Sequence, residues 1–195
     1  MATVKIDVKK ALPLLLLVLL ATPVGLWAAD TIPPVPYRIG PGDTLEVVVW
    51  REEAVTRSDI LVRPDGRISM PLVDDITAAG MTPMELKELL TKTLSKLIET
   101  PYVYVIIRDP YSYSFSVIGN VKQPGRFTLL TPTNVLQAIA EAEGFNEWAH
   151  KDDIVIMRGR GPSQTRLPFS YSDVLSGKNL NQNIEIKPGD VVIVP

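Results

Sequence analysis

The sequence contains no cysteine and a single histidine among its 195 residues. The lack of Cys excludes disulfides, Cys-ligated zinc, iron–sulfur clusters, thiolate catalysis and a lipid anchor on an N-terminal cysteine. With one His, no metal site can be built on two imidazoles, and His150 is left as the only candidate imidazole base. We therefore expect neither a cofactor nor a metal centre in this protein.

An excess of basic residues is also missing. The chain has 20 Lys and Arg against 22 Asp and Glu, which gives a formal net charge of −2. Proteins that bind nucleic acid usually show a basic excess or a basic stripe, so no nucleic-acid partner is expected. The hydrophobic content of 46% is sufficient for a packed core and excludes a wholly disordered chain. The length allows one domain or two small ones.

The first 29 residues have the pattern of a secretory signal. Lys5, Lys9 and Lys10 precede the apolar run 11–20, and the segment ends in the small residues Ala28 and Ala29, with Leu26 and Trp27 making the cleavage site imperfect. The alternative is an uncleaved anchor, because residues 11–29 approach the ~20 residues that a membrane span needs. Either interpretation sends the remainder of the chain out of the cytoplasm. Residues 30–36 contain three prolines and are predicted to form an extended leader.

A repeated phrase is the strongest internal signal. Pro41-Gly42-Asp43 and Pro188-Gly189-Asp190 each precede a run rich in β-branched residues. Proline sets φ at the first turn position, glycine allows a positive φ at the second, and the aspartate side chain can accept hydrogen bonds from nearby amides. Each phrase therefore predicts a turn that leads into a strand. Its recurrence favours two small domains.

Other turn signals and periodic segments indicate helices and strands between the two phrases. Pro64-Asp65-Gly66 and Pro124-Gly125 mark further turns, the first of them between two strands of a hairpin. Thr82-Pro83 with Glu85 predicts a helix start with a capping box, and that helix is expected to end near Glu99. Further segments are predicted as a strand at 102–107, a half-buried strand at 111–117, a helix from Asn134 to Gly144, strands at 154–158 and 164–169, and a helical turn at 171–175. Helices on small mixed sheets predict an α+β fold, with a boundary between domains near Asp109-Pro110.

These segments resemble the outer-membrane polysaccharide export family (Wza-like). The first half resembles its polysaccharide export domain and the second half an SLBB domain, which is a β-grasp domain. The likeness to the export domain rests on residues 37–43, 62–72, 79–83 and 100–105. The likeness to the SLBB domain rests on residues 117–125, 135–140, 142–145 and 187–190. The resemblance implies a polysaccharide export domain over 37–110 and an SLBB β-grasp domain over 111–195.

The resemblance also implies a function. It implies a non-enzymatic homo-oligomeric ring around a path for an exopolysaccharide chain, with an inner-membrane chain-length regulator or co-polymerase as partner. Many relatives carry a lipidated N-terminal Cys, and the larger ones continue into further β-grasp domains and a pore-lining helix. This chain has no Cys and ends at Pro195, so it resembles the short forms that need a separate outer-membrane β-barrel. We expect a periplasmic conduit or adaptor ring associated with the outer membrane.

Candidate saccharide contacts are few. Trp50 and Trp148 lie near the ends of predicted elements, and Asn181 and Asn183 lie in a polar segment whose composition favours a solvated loop. These residues leave open a second function, a periplasmic saccharide-binding or sensing module that forms no conduit.

A third hypothesis is a carbohydrate-active enzyme. Its candidate acids occur as adjacent pairs, namely Glu52-Glu53, Asp74-Asp75 and Asp152-Asp153. Glycosidases need two carboxylates that face each other across a cleft. Adjacent residues point in different directions on a strand or a helix, so we predict no catalytic residue.

Overall fold

The structure is a computed structural model that describes residues 36–195. The predicted signal segment 1–29 and nearly all of the leader 30–36 lie outside these residues. The described residues form an α+β fold, as the sequence predicts. Two short 3-10 helices occur at Gly161–Ser163 and Leu180–Gln182. In chain order the other elements are β1 (Thr44–Val49), β2 (Arg57–Leu61), β3 (Arg67–Met70), β4 (Asp74–Thr77), α1 (Pro83–Leu94), β5 (Val103–Asp109), β6 (Ser114–Gly119), β7 (Gly125–Thr128), α2 (Val135–Glu141), β8 (Ile154–Arg158), β9 (Thr165–Phe169), α3 (Tyr171–Leu175) and β10 (Val191–Val194).

The first half is built on a three-stranded antiparallel sheet in the order β2-β1-β5, with a separate two-stranded sheet β3-β4. Successive residues of a strand point to opposite faces, and the alternating pattern of β1 buries one of them. Helix α1 packs its leucines into the same core, since four-residue spacing places them on one helix face. The core residues from these two elements are Leu45, Val47, Val49, Leu86, Leu90 and Leu94.

Helix α1 begins where the sequence predicts but ends earlier. Thr82 is the N-cap, and its side chain and that of Glu85 form the reciprocal hydrogen bonds of a capping box. The helix stops at Leu94 instead of near Glu99, so the predicted end is wrong. The N–H groups of Leu97 and Ile98 both donate to the carbonyl of Leu94, which tightens the chain into a turn and leaves Leu97 exposed. Apolar spacing alone could not distinguish this turn from another helical turn.

The predicted hairpin between β2 and β3 is also wrong. The turn exists, because the N–H of Gly66 donates to the carbonyl of Arg63 at 2.8 Å. Beyond it, however, β3 pairs with β4, whereas β2 pairs with β1. The partner strand β4 begins with Asp74 and Asp75, acidic residues that the sequence analysis did not assign to a strand. The hairpin therefore lies one connection later than predicted, at residues 71–73, and the low strand propensity of aspartate concealed β4 in the sequence.

The second half contains a five-stranded sheet in the order β7-β6-β10-β8-β9. Strand β10 pairs parallel to β6 and antiparallel to β8, so the end of the chain lies in the middle of the sheet. The sequence predicts a half-buried strand over 111–117, but β6 begins only at Ser114. Phe115 is fully buried, whereas Tyr111 is exposed. Tyr111 precedes the strand and therefore does not follow its alternation.

The described residues contain two hydrophobic cores. One is built from residues between Ile39 and Val103 and the other from residues between Phe115 and Val194. Two cores in succession agree with an α+β chain of two small domains. Within residues 36–195, no helix is both long enough and apolar enough to cross a membrane.

Candidate functional site

The two proline-glycine-aspartate phrases fold into corners of the same geometry. Gly42 and Gly189 have φ values of 93° and 86°, which a side chain rarely tolerates. In the first corner the N–H of Gly40 donates to the carboxylate of Asp43 at 2.7 Å. In the second, the N–H of Lys187 donates to Asp190 at 2.8 Å. Each aspartate therefore closes its own turn by accepting from the amide three residues before it.

Each corner also positions the start of a strand. The N–H of Gly42 donates to the carbonyl of Val62 at 2.8 Å, and the N–H of Val62 donates to the carbonyl of Asp43 at 2.8 Å. The second corner makes the corresponding contacts, from Gly189 to the carbonyl of Ser114 and from the N–H of Ser116 to the carbonyl of Asp190. The corners thereby anchor β1 and β10, the central strands of their sheets.

The carboxylate of Asp43 is fully buried and surrounded by neutral donors. It accepts from the Tyr37 hydroxyl, from the N–H of Ser112 at 2.7 Å and from the Ser112 hydroxyl at 2.9 Å, besides the Gly40 amide. Burial, followed by the hydrogen bond to Asp43, raises the pKa of Tyr37 well above its ordinary value. Among the described residues, no basic side chain pairs with Asp43.

The carboxylate of Asp190 is instead neutralised by an arginine. Nε of Arg158 lies 3.0 Å from one carboxylate oxygen of Asp190, and Nη2 lies 2.7 Å from the other. Nη2 also donates to the carbonyl of Glu185 at 2.7 Å. The hydrogen bond to Asp190 raises the pKa of Arg158, so the guanidinium stays positively charged beside this buried side chain. The two corners thus share a backbone geometry but differ in how the buried charge is stabilised.

The two other turn motifs lie at the surface except for Gly66, which is buried. In the Pro64-Asp65-Gly66 turn, Asp65 accepts from the guanidinium of Arg63 and from the N–H of Arg67. At Pro124-Gly125 the turn ends sooner than the sequence suggests, because Gly125 is already the first residue of β7. The carbonyl of Gly66 also accepts from the N–H groups of Ala78 and Ala79, so this turn is tied to the segment before α1. Neither motif brings further candidate site residues together.

The predicted saccharide contacts do not share one environment. Trp50 and Trp148 expose 63% and 72% of their surface, and Asn181 is also exposed. The side-chain oxygen of Asn183 instead accepts from the N–H of Leu136 at 3.1 Å, near the start of α2. This contact gives Asn183 a structural role that the sequence analysis did not foresee.

Two exposed tyrosines beside Trp50 escaped the sequence analysis. The N–H of Trp50 donates to the carbonyl of Tyr102 at 2.9 Å, so the two residues are neighbours on adjacent chain segments. The rings of Tyr102 and Tyr104 lie 5.7 Å apart, and these side chains are 61% and 45% exposed. The alternation of β5, which buries Val103 and exposes Tyr104, was the signal that could have identified them.

In two of the three acidic pairs, one member is held in structural contacts. Asp75 accepts from Arg63 and Ser69, and the hydrogen bond from Arg63 is the main reason why the pKa of Asp75 is lowered to about 2. Asp152 accepts from Ser170 and from the N–H and hydroxyl of Ser172, which lowers its pKa as well. A general acid needs a raised pKa. Residues 36–195 also contain no group of three or more His, Asp or Glu side chains that could hold a metal ion.

Two family models match the chain in succession. The model described as polysaccharide biosynthesis/export protein matches residues 32–108. The model described as SLBB domain matches residues 113–194. Both models occur in the order that the sequence analysis predicts.

Curated relatives of the chain are named for polysaccharide export. The EPS I polysaccharide export outer membrane protein EpsA of Ralstonia nicotianae is 27% identical over 183 residues, covering 82% of this chain and 47% of the relative. The polysialic acid transport protein KpsD of Escherichia coli is 31% identical over 163 residues, covering 81% of this chain and 28% of the relative. The capsule polysaccharide export outer membrane protein CtrA of Neisseria meningitidis serogroup B is 30% identical over 172 residues, covering 77% of this chain and 42% of the relative.

The chain therefore spans less than half the length of each of these relatives. Its two consecutive family matches nevertheless account for most of the described residues and agree with its two cores. The chain belongs to the Wza-like family of outer-membrane polysaccharide export proteins, in which a polysaccharide export domain is followed by an SLBB domain.

Proposed function

We propose that this protein is a component of an exopolysaccharide or capsule translocon and forms a non-enzymatic conduit or adaptor ring for the polymer. It acts in the periplasm in association with the outer membrane. The observation that carries this proposal is the succession of an export domain and an SLBB domain over residues 32–194. The names of the relatives, which refer to EPS I, polysialic acid and capsule, support polysaccharide as the cargo.

The proposal includes three partners besides further copies of the chain. They are the exopolysaccharide itself, an inner-membrane chain-length regulator or co-polymerase, and a separate outer-membrane channel. The support for the last two is the family resemblance alone. Co-purification of the tagged full chain from envelopes that synthesise polymer tests both. If cross-linking and purification recover neither the inner-membrane regulator nor the outer-membrane channel, both partners are removed from the proposal.

Ring formation distinguishes the conduit from the saccharide-binding or sensing module. We expect the purified full chain to form a closed assembly of several copies at micromolar concentration, measured by mass photometry. A heterologous interface that closes on itself gives such a ring with one discrete mass. A stable monomer under these conditions would favour the module that has no conduit role.

The absence of catalysis is a separate part of the proposal. Its support is that Asp75 and Asp152 are occupied by structural hydrogen bonds and have lowered pKa values. We expect no turnover when the full chain is incubated with the cognate polymer. Cleavage that is lost on replacement of Glu53 or Asp75 would establish the carbohydrate-active enzyme instead.

We further propose that Trp50 and Trp148 make weak stacking contacts with sugar rings, and that exposed Asn181 adds a polar contact. Weak contacts suit a conduit because tight sites would stall a long polymer. Asn183 is the poorest candidate, since its side-chain oxygen already accepts from Leu136. Affinity electrophoresis in polymer-containing gels tests the contacts. Trp50→Ala and Trp148→Ala should reduce retardation, whereas Leu130→Ala, which also removes an exposed large side chain, should not.

A further inference from the structure

The first proline-glycine-aspartate corner contacts the other half of the chain, whereas the second does not. The Asp43 carboxylate accepts from the N–H and hydroxyl of Ser112, which directly precedes the second core. The side-chain partners of Asp190 all belong to the second half itself. Two corners of equal backbone geometry therefore have different structural roles. The second corner closes its own domain, whereas the first connects the two domains.

Close packing reinforces this connection. A Cβ added to Gly40 would lie 2.5 Å from Cβ of Ser112, and one added to Gly42 would lie 2.7 Å from Cδ1 of Tyr111. Real Cβ atoms essentially never approach another atom so closely, so only glycine fits at these positions. The rings of Tyr37 and Tyr113 are also in contact, with centroids 4.7 Å apart. The first corner and the segment 111–113 therefore fit together without space for displacement.

Segment 111–113 also contacts the second half of the chain. The guanidinium of Arg126, on β7, lies 3.5 Å from the ring centroid of Tyr111. The N–H of Tyr113 donates to the carbonyl of Pro110 at 2.9 Å. Tyr111, although about half of its surface is exposed, thus lies between Gly42 of the first half and Arg126 of the second.

We propose that the first corner is a latch that holds the second domain in one fixed orientation to the first. The Asp43 carboxylate supplies the directional hydrogen bonds, and Gly40 supplies the close approach to Ser112. A latch of this kind explains why the buried carboxylate faces neutral donors both on the first domain and on Ser112, in the segment that leads into the second domain. The inference does not depend on polysaccharide export and is tested without any polymer.

Substitution of Gly40 provides a specific test. Gly40 does not have a φ in the left-handed region, so its backbone tolerates alanine, and the new methyl group meets only Ser112. Gly40→Ala should therefore push the domains apart without straining the turn. Gly125→Ala is the matched control, because Gly125 also lacks a left-handed φ and a Cβ there meets nothing within 4 Å. Adding Ser112→Gly to Gly40→Ala should restore the fit.

The relative orientation of the two domains is measured by double electron–electron resonance (DEER) spectroscopy on the full chain. Because the protein has no native Cys, spin labels can be placed at Glu88→Cys on α1 and Arg166→Cys on β9, both exposed positions. The parent chain and Gly125→Ala should give the same narrow distance distribution. Gly40→Ala should shift or broaden it, and Gly40→Ala/Ser112→Gly should return it to that of Ser112→Gly alone.

Two results would overturn the latch. One is an unchanged narrow distribution in Gly40→Ala, and the other is a broadened distribution that Ser112→Gly does not reverse. If Gly40→Ala alone does not fold, recovery of the folded state in the double variant supports the latch. Failure of the double variant to fold, while Ser112→Gly alone does, contradicts it.

Discussion

Asp43 accepts two hydrogen bonds from Ser112, a residue 69 positions later in the sequence, at 2.7 Å from the N–H and 2.9 Å from the hydroxyl. One carboxylate oxygen faces the amide of Ser112, and the other faces the amide of Gly40. An asparagine at this position would present its NH₂ group to one of these backbone donors in either orientation of the amide. A backbone N–H group can only donate a hydrogen bond and cannot accept one from the asparagine NH₂. One buried N–H group would therefore have no acceptor.

Asp43→Asn is therefore predicted to lower the free energy of unfolding by roughly 1–3 kcal/mol. Urea denaturation followed by circular dichroism measures this loss. Asp153→Asn is the matched control, because Asp153 is exposed and makes no side-chain hydrogen bond within the described residues. The control should change stability by less than about 0.5 kcal/mol. Equal stability of the two variants would refute the structural role of Asp43.

Arg158→Met is predicted to destabilise the protein by about 3 kcal/mol, because it leaves the buried charge of Asp190 without its cation. Arg160→Met removes a guanidinium from an exposed position of the neighbouring turn and should have little effect. Chemical denaturation of both variants provides the comparison. An unchanged free energy of unfolding in Arg158→Met would show that water reaches Asp190 and replaces the arginine.

The carboxyl group of Asp75 should titrate at a pKa of about 2. The folded pKa lies below the ordinary value, so the contact stabilises the fold fully above the unfolded pKa, near 4. That contribution is lost as the pH falls from 4 through 2. Carbon-detected NMR titration measures the pKa directly. Arg63→Gln should raise the pKa of Asp75 toward its ordinary value, and an unchanged pKa would assign the shift to another group.

Thr82→Ala should cost about 1 kcal/mol in the free energy of unfolding, because it removes the hydroxyl that accepts from the N–H of Glu85. Thr82→Ser retains that hydroxyl and should restore most of the loss. Thermal or urea unfolding of the two variants checks this prediction. An equal loss in Thr82→Ser would mean that the methyl group of Thr82, and not its hydroxyl, stabilises α1.

Features that depend on neighbouring residues could be predicted from the sequence. The capping box at Thr82 and Glu85 and the helical turn at 171–175 both occur where local signals indicated them. In both cases the atoms that interact belong to residues a few positions apart. Local chemistry therefore determines them before tertiary packing does.

Features that depend on distant partners could not be predicted. The contact of Asp43 with Ser112 and that of Arg158 with Asp190 each join segments whose proximity no spacing rule encodes. The sequence identifies Asp43 and Asp190 as residues that close turns. It does not predict their contacts outside those turns. Asn183 shows the same limit, since its contact with Leu136 spans 47 positions.

Location of the polymer in cells that lack this protein tests the proposed export role most directly. The gene is deleted, and polysaccharide is quantified separately in the medium and within the cell envelope. Complementation with the wild-type chain serves as the control. The account predicts that polymer accumulates inside the envelope and reappears outside on complementation. Polymer in the medium at the wild-type level, with none retained in the envelope, would contradict it.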